Sequence, residues 1–419
     1  MKKLFFVFFV LLVSAAFVMA GGQQEGGQQG GMDEAAEMEM TDEPVEIALW
    51  TQEGEAENAF QFVEKLAEQF MDMHDNVTID VLNKETEALR EDFLTASLAG
   101  DPPDLVWTVN DHAGPFVAAN LLKPVQDLFD MDEYVESVSM GGDTWAVPIS
   151  SGNHLMLMYN TDIVSEPPET TEELIEMGQE LTGDDRYGLV YNATEPFWLA
   201  PWLGGFDGTV FAEDGVTPTL DTQAMRDTLQ FLYDLEFEHG IVPAESDYAT
   251  MDTLFKEGNA AMIINGDWAI GGYRDAMGDD FAVTRIPQVS ATGEWPKPYT
   301  SGKYFMIPRT LEGNKLATVV EFIEYATNYE NQIDMVETLS RLPARREALS
   351  AEEVTSDELL AASAQQMEVG TPMPSAVEMR AIWDAIKPEM NAVLADNKSP
   401  EAAAEAMQKA AEQGIQDLQ

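Results

Sequence analysis

The sequence predicts an α/β protein in two lobes, and three observations carry that expectation. From Val45 onward, short apolar runs alternate with longer amphipathic segments, the pattern of strands and crossover helices. The passage Phe255-Lys-Glu-Gly-Asn-Ala-Ala-Met-Ile-Ile-Asn-Gly-Asp-Trp268 spells out a helix end, a buried strand and a strand terminus. Two breaks, Pro148 to Asn153 and Pro298 to Lys303, interrupt neighbouring strands with no helix between them, as a chain crossing between lobes would.

In order, Val45 to Trp50 reads as a strand and Glu55 to Met71 as a helix with an apolar face of Ala56, Phe60, Phe62, Val63, Leu66 and Phe70. Val77 to Val81, Glu85 to Ala99 and Asp104 to Thr108 follow as strand, helix and strand. A hairpin is expected around Gly141 to Val147, then a strand over His154 to Tyr159 and a helix over Glu169 to Thr182. The second half repeats the theme: strand Tyr187 to Tyr191, a helix start at Phe197 to Leu203, and helices at Thr222 to Glu238 and Tyr248 to Glu257. Gly258 suits a left-handed helix stop. Ala260 to Ile264 is the buried strand that Asn265-Gly266-Asp267 ends, leaving Trp268 at its carboxyl end, where open α/β sheets hold ligands. Strand Tyr304 to Ile307, helix Leu316 to Asn328 and a largely helical chain after Ser350, including Glu401 to Leu418, complete the expectation. Gly141-Gly142 and Gly204-Gly205 are read as tight turns.

Residues 1–20 carry Lys2 and Lys3, an apolar run and Val18-Met19-Ala20, which together read as a cleaved secretory signal. Residues 21–44 are Gly/Gln-rich and then acidic, a flexible linker too poor in apolar residues to fold. The address is therefore periplasmic or secreted. No cysteine occurs, which excludes lipid attachment through cysteine, disulfides and thiolate zinc sites. Asp and Glu number 76 against 22 Lys and Arg, a formal net charge of -54. Such a surface repels phosphate backbones and anionic lipid, so nucleic acid is not an expected partner. Self-repulsion on this scale suggests a saline habitat, where salt screens it. The basic run Arg341 to Arg346 reads as paired surface arginines.

Catalytic apparatus is not visible. His74, His112, His154 and His239 lack metal-ligand spacing, neither a nucleophile elbow nor a phosphate-binding loop appears, and carboxylate pairs mean nothing among 76 acids. No metal or cofactor is expected. Aromatic and polar side chains instead gather at predicted loop ends: Trp50, Asn110, Asp111, His112, Glu195, Phe197, Trp198, Trp202, Trp268, Tyr304 and Trp383. A sugar offers C–H faces to aromatic rings and hydroxyls to planar polar groups. Aromatics with carboxylates equally suit a polyamine or another cationic solute, and the same cleft could serve a secreted glycoside-acting enzyme.

Three segments carry a family resemblance: Phe255 to Trp268, Asn192-Ala-Thr-Glu-Pro-Phe197 with Trp198 to Gly208, and Met373-Pro374 through Ala381-Ile-Trp383. They resemble the maltose-binding-protein type of extracellular solute-binding protein, the receptor subunit of ABC sugar importers, and the likeness spans Val45 to Leu418. It implies a two-lobe periplasmic binding protein fold with about three hinge crossovers, near Ser150 to Asn153, Pro298 to Lys303 and Arg346 to Glu352. The lobes would be residues 45–151 plus 303–348, and 152–302 plus 349–419. By resemblance Trp268 and Trp383 stack on sugar rings, Phe197 is a third platform, Glu195 accepts hydroxyl hydrogen bonds, and Asp111 is an acidic acceptor from the first lobe. His112, Thr108 and Asn153 stand where the maltose binder has arginine, tryptophan and glutamate. The loop after Trp50, which contains Glu53, lacks that protein's lysine. The implied function is capture of a neutral sugar or oligosaccharide, without catalysis, by a monomer that delivers it to permease subunits.

Overall fold

The computed structural model describes residues 39–54, 58–135, 137–183, 185–244 and 246–418. The expected signal segment, most of the linker and the start of the helix expected from Glu55 lie outside them.

Three parallel strands open the first sheet: β1 (Val45–Thr51), β2 (Val77–Asn83) and β3 (Leu105–Val109). The helices Ala59–Met73 and Thr86–Ala99 connect them. A small hairpin, β4 (Ser139–Met140) with β5 (Asp143–Thr144), precedes β6 (Val147–Gly152). The chain then builds a second sheet from β7 (Leu155–Asn160), β8 (Tyr187–Tyr191), β9 (Ala260–Gly266) and β10 (Phe281–Thr284). It returns to the first sheet through β11 (Tyr299–Met306) and β12 (Leu342–Pro343), with the short β13 (Thr371–Pro372) beside the start of β11.

The sheet orders are β12-β6-β11-β3-β1-β2 and β10-β7-β9-β8. Every residue of β3 and of β9 is buried, as expected of central strands covered on both faces. Phe62, Leu66, Trp107, Phe305 and Phe322 form one core on the first sheet, and Phe93, Phe116 and Met306 form another. The second sheet shares its core with the C-terminal helices through Ile382, Ile386, Met390 and Met407. The last part of the chain thus packs with the middle part, as a two-lobed body with repeated crossings requires.

The first crossing is two residues long, from Gly152 to Leu155. Gly152 (φ +125°) must lack a side chain because a Cβ would overlap the Asp267 carboxylate. That carboxylate accepts hydrogen bonds from the backbone N–H of Asn153 at 3.1 Å and of His154 at 3.2 Å. Asp267 therefore ties the crossing to the turn that carries Trp268.

Four expectations are corrected. The strand read as ending at Ile264 runs to Gly266, because Asn265 and Gly266 still pair with Met156 and Leu155. Residues Tyr299 to Lys303, read as a crossover break ahead of a strand, are themselves strand: Tyr299 still packs in the second sheet's core while Ser301, Gly302 and Lys303 pair with Gly152, Ser151 and Ser150, so the chain crosses within β11. Gly204 and Gly205 end a helix, Ala200–Gly205, where a Cβ would press on Lys297 or Val289. Arg341 is not a surface arginine but is 2% exposed, bound to Glu53. Composition hid this, since an acid-rich chain gives every arginine a plausible surface partner.

Candidate functional site

Chain direction brings the carboxyl ends of β3 and β9 to the junction of the two sheets, and each strand ends in a single 3-10 turn: Asn110–His112 after β3 and Asp267–Ala269 after β9. These turns face different chemistry into the same region.

On the second sheet, the Trp268 ring folds back over Gly266, where a Cβ would overlap it. Its indole Nε1 donates to Tyr248 Oη at 3.0 Å. Phe197 (ring centroids 6.1 Å) and Trp198 (6.2 Å, edge-on) complete the cluster. Trp198 is itself buried, its Nε1 donating to the Ile264 carbonyl at 2.8 Å, so it backs the cluster rather than facing outward. Trp268, Phe197 and Trp383 are half-buried and keep part of their rings accessible. Glu195, just ahead of the turn Pro196–Trp198, pairs with Lys387 of the helix Met379–Leu394. Trp383 on that helix meets Tyr299 edge-on at 6.1 Å and reaches toward Asp111 Oδ2 with its Nε1 at 3.4 Å.

On the first sheet, Asn110 Nδ2 donates to the Met373 carbonyl at 3.0 Å, while its Oδ1 is buried with no protein partner. Burial pushes the Asp111 carboxyl above the usual range, opposed by the Trp383 indole and by the charges of Arg90 and Lys303. The Thr108 hydroxyl donates to Gln52 Oε1 at 3.2 Å and lies 2.7 Å from His112 Nδ1. With its proton committed to Gln52, Thr108 must accept from Nδ1–H, which leaves Nε2 as the lone-pair nitrogen. That Nε2 is buried without a protein partner. Burial holds the His112 pKa well below its ordinary value, aided by the Arg90 and Lys303 charges, so the ring is neutral near pH 7.

Charged residues also bridge the sheets' elements. Arg380, on the helix Met379–Leu394, reaches Glu87 and Glu91 on the helix Thr86–Ala99 at 3.2 Å each. Arg90 holds the same two carboxylates at 2.6 and 3.1 Å, and Asp384 holds Arg380 at 2.6 Å.

Trp268, Phe197, Trp198, Trp383, Glu195, Asn110, Asp111, His112 and Thr108 thus come together around one junction. Asn153 lies at the crossing, with φ +45° and its Nδ2 donating to Ser301 Oγ at 3.3 Å. Trp50 stands apart, half-buried beneath Lys84, whose Nζ is 4.3 Å from its ring centroid. Three candidates are corrected. Trp202 is 1% exposed and packs on Phe231 inside the second core. Tyr304 is 5% exposed within a core of the first sheet. The Glu53 carboxylate is consumed by two 2.9 Å bonds from Arg341 and one from Trp107 Nε1. Burial would raise its pKa, but Arg341, Lys303 and these hydrogen bonds outweigh it and hold it below the usual range.

Sequence reasoning missed Tyr248, Tyr299, Lys303, Arg90 and Lys387. Tyr248 opens a helix and Lys387 lies on a helix face, so no local pattern marks them. Lys303 did carry a signal, a lone lysine inside a run of small polar residues, but the run looked like a crossover.

The junction pairs accessible ring faces with fixed acceptors, an arrangement that binds a ring-shaped, hydroxyl-bearing molecule without needing covalent chemistry. Among the described residues no group of three or more His, Asp or Glu could hold a metal ion, and no helix is long and apolar enough to cross a membrane.

Comparison with known proteins gives the same architecture. Residues 65–362 match the family described as bacterial extracellular solute-binding protein. The maltose/maltodextrin-binding domain MalE from Bdellovibrio bacteriovorus, solved bound to maltotriose, superposes with a TM-score of 0.86 at 37% identity, covering 89% of this chain and 100% of that one. A maltotriose-binding protein of Pyrococcus abyssi is 27% identical over 81% of this chain and 76% of its own length. The maltodextrin-binding protein MdxE of Bacillus subtilis is 24% identical over 77% of this chain and 80% of its own. With its two sheets joined by repeated crossings and more than half its length matched, the chain belongs to the bacterial extracellular solute-binding protein family.

Proposed function

We propose that this chain is the receptor of an ABC importer and captures neutral oligosaccharides, maltooligosaccharides foremost, between its two lobes. The observation that carries the reading is the junction itself: the Trp268, Phe197 and Trp383 rings stand opposite Asp111 and the buried acceptors Asn110 Oδ1 and His112 Nε2. Rings stack on the pyranose C–H faces, and the acceptors take hydroxyl protons. Relatives named for maltotriose and maltodextrin support the same ligand class.

Ligand contact with both walls favours the closed arrangement, which a membrane permease would then recognise. The receptor acts as a monomer after export directed by residues 1–20, and it releases its ligand unchanged. Titration calorimetry with maltose, maltotriose, longer maltodextrins, putrescine and spermidine tests the reading. Saturable heat from a maltodextrin, with the sugar recovered intact by chromatography, supports it. Heat from the polyamines alone, or shortened sugar products, would replace it with a cation receptor or an enzyme.

A further inference from the structure

Among the described residues one lysine is buried: Lys303, 7% exposed, on β11. Its backbone is fixed on both sides, opposite Val109 at the end of β3 and Ser150 on β6, with a register shift immediately after it. Gly302 ahead of it presses so close to Ser150 that a Cβ there would overlap the carbonyl oxygen. The side chain leaves this anchored point toward the other lobe, and Nζ stands 5.6 Å from the centroid of the Trp268 ring. Its charge is felt at Asp111, at His112 and at Glu53. The ammonium therefore lies where the aromatic wall and the polar wall meet.

Burying an ammonium costs several kcal/mol unless offset. Solubility gives no reason to bear that cost, and lysines in the chain's surface ion pairs keep more of their side chains exposed, from 18% at Lys84 to 76% at Lys409. What a buried ammonium does supply is a donor-only group with three protons and a fixed positive charge. A sugar hydroxyl can accept from it, whereas a ligand ammonium can only be repelled. Resting on the Trp268 ring, it also occupies the cation–π position that would otherwise attract a cationic ligand.

We infer that Lys303 is a specificity-determining residue of the cleft, donating a hydrogen bond to a ligand hydroxyl and excluding cationic ligands, polyamines and amino sugars alike, from a site whose aromatic and acidic residues would otherwise admit them. The inference rests on the sugar-receptor reading and adds to it the basis on which charge is discriminated.

The test is calorimetry at pH 6 with maltotriose, the trimer of glucosamine and spermidine, on the wild-type protein and on Lys303→Met, Lys303→Gln and Lys303→Arg, with melting points measured alongside. In Lys303→Met, maltotriose is expected to bind about 10- to 100-fold more weakly, the loss of a hydrogen bond from a charged donor. The affinity ratio of maltotriose to the glucosamine trimer should fall by at least about tenfold. Lys303→Arg, which keeps charge and donors, should retain the ratio. Lys303→Gln, which keeps a donor without charge, should lose cation exclusion more than it loses maltotriose, and it carries the test if the Met variant does not fold. An unchanged ratio in both Met and Gln variants overturns the inference, including the case where all ligands weaken in parallel, which is the signature of a purely structural lysine. If the wild-type protein binds no maltooligosaccharide, the receptor reading fails and takes this inference with it. If it binds maltotriose but the variants discriminate as before, the inference alone fails.

Discussion

The wall contributed by the second sheet is carbon-rich and packed in advance: Trp268 is held by Gly266 beneath it, by Tyr248 through its indole nitrogen and by two aromatic edges. The wall contributed by the first sheet is polar, and it is held by directional bonds: Gln52 to Thr108 to His112, and Glu53 to Arg341 and Trp107. Dispersion and shape tolerate small shifts, whereas buried charges and hydrogen bonds fail abruptly when a partner is lost. The two walls should therefore break differently, the aromatic one in affinity and the polar one in stability.

The largest expected effect comes from the buried ion pair. Glu53→Gln removes the carboxylate charge that faces Arg341, 2% exposed, through two 2.9 Å bonds, and should cost about 3–5 kcal/mol of unfolding free energy. Urea unfolding of the ligand-free protein measures it. A loss confined to ligand affinity, with stability intact, would mean that Glu53 belongs to the binding surface after all and would erase the contrast between the walls.

Next in size, Trp268→Ala and Trp383→Ala should each cost about 1–3 kcal/mol of maltooligosaccharide affinity by calorimetry, with a nearly unchanged melting point. Both rings are half-buried, so truncation opens the cleft more than it hollows the core. Large destabilisation with unchanged affinity would return both to the core.

These residues also show what was legible in the sequence. Trp268 could be read because strand, breaker and aromatic are contiguous, and local order is what a sequence displays. The alternation of elements likewise gave the α/β class, and the helix Thr86–Ala99 came within one residue of its expected span. Trp202 and Tyr304 were misjudged because an aromatic near a loop has the same sequence whether it points inward or outward. Arg341 could not be read at all, and the lone lysine at 303 marked a position without its role: Glu53 and Arg341 are 288 positions apart, and Lys303 reaches Trp268 across two sheets. Partners chosen by the fold leave no local pattern.

A smaller effect separates the walls by pH. The His112 pKa is depressed in the fold, so between that value and the ordinary one near 6.5 the unfolded chain binds more protons. Stability that is present above about pH 6.5 is therefore lost as pH falls toward the folded value. His154, also depressed by burial, contributes in the same direction. Melting points measured from pH 7.5 to 5 should fall, and His112→Gln should flatten part of that slope while raised carboxylates such as Asp111 act equally on both proteins. Parallel slopes in the two proteins would show that His112 titrates in the fold as it does in the unfolded chain, against a buried neutral ring, and a steeper fall in His112→Gln would show that the fold favours the charged ring.

The smallest expected effect tests the contacts that join the walls. Arg380 is about a third exposed, and its bonds to Glu87 and Glu91 exist only while the helices Met379–Leu394 and Thr86–Ala99 lie close together. A surface network of this kind contributes about 0.2–1 kcal/mol. Because the contribution falls on the closed arrangement alone, Arg380→Gln should weaken ligand binding by no more than about fivefold in low salt without shifting the ligand-free melting point. At about 1 M salt the Debye length shrinks to about 3 Å and the difference should vanish. The aromatic wall obeys no such dependence, so Trp383→Ala should lose the same affinity at both salt concentrations. A salt-independent defect in Arg380→Gln would mean that the arginine acts through packing of its stem on the helix rather than through charge across the cleft. In a chain with a net charge of -54, that outcome would also show the cleft rim to be shielded from the repulsion the rest of the surface carries.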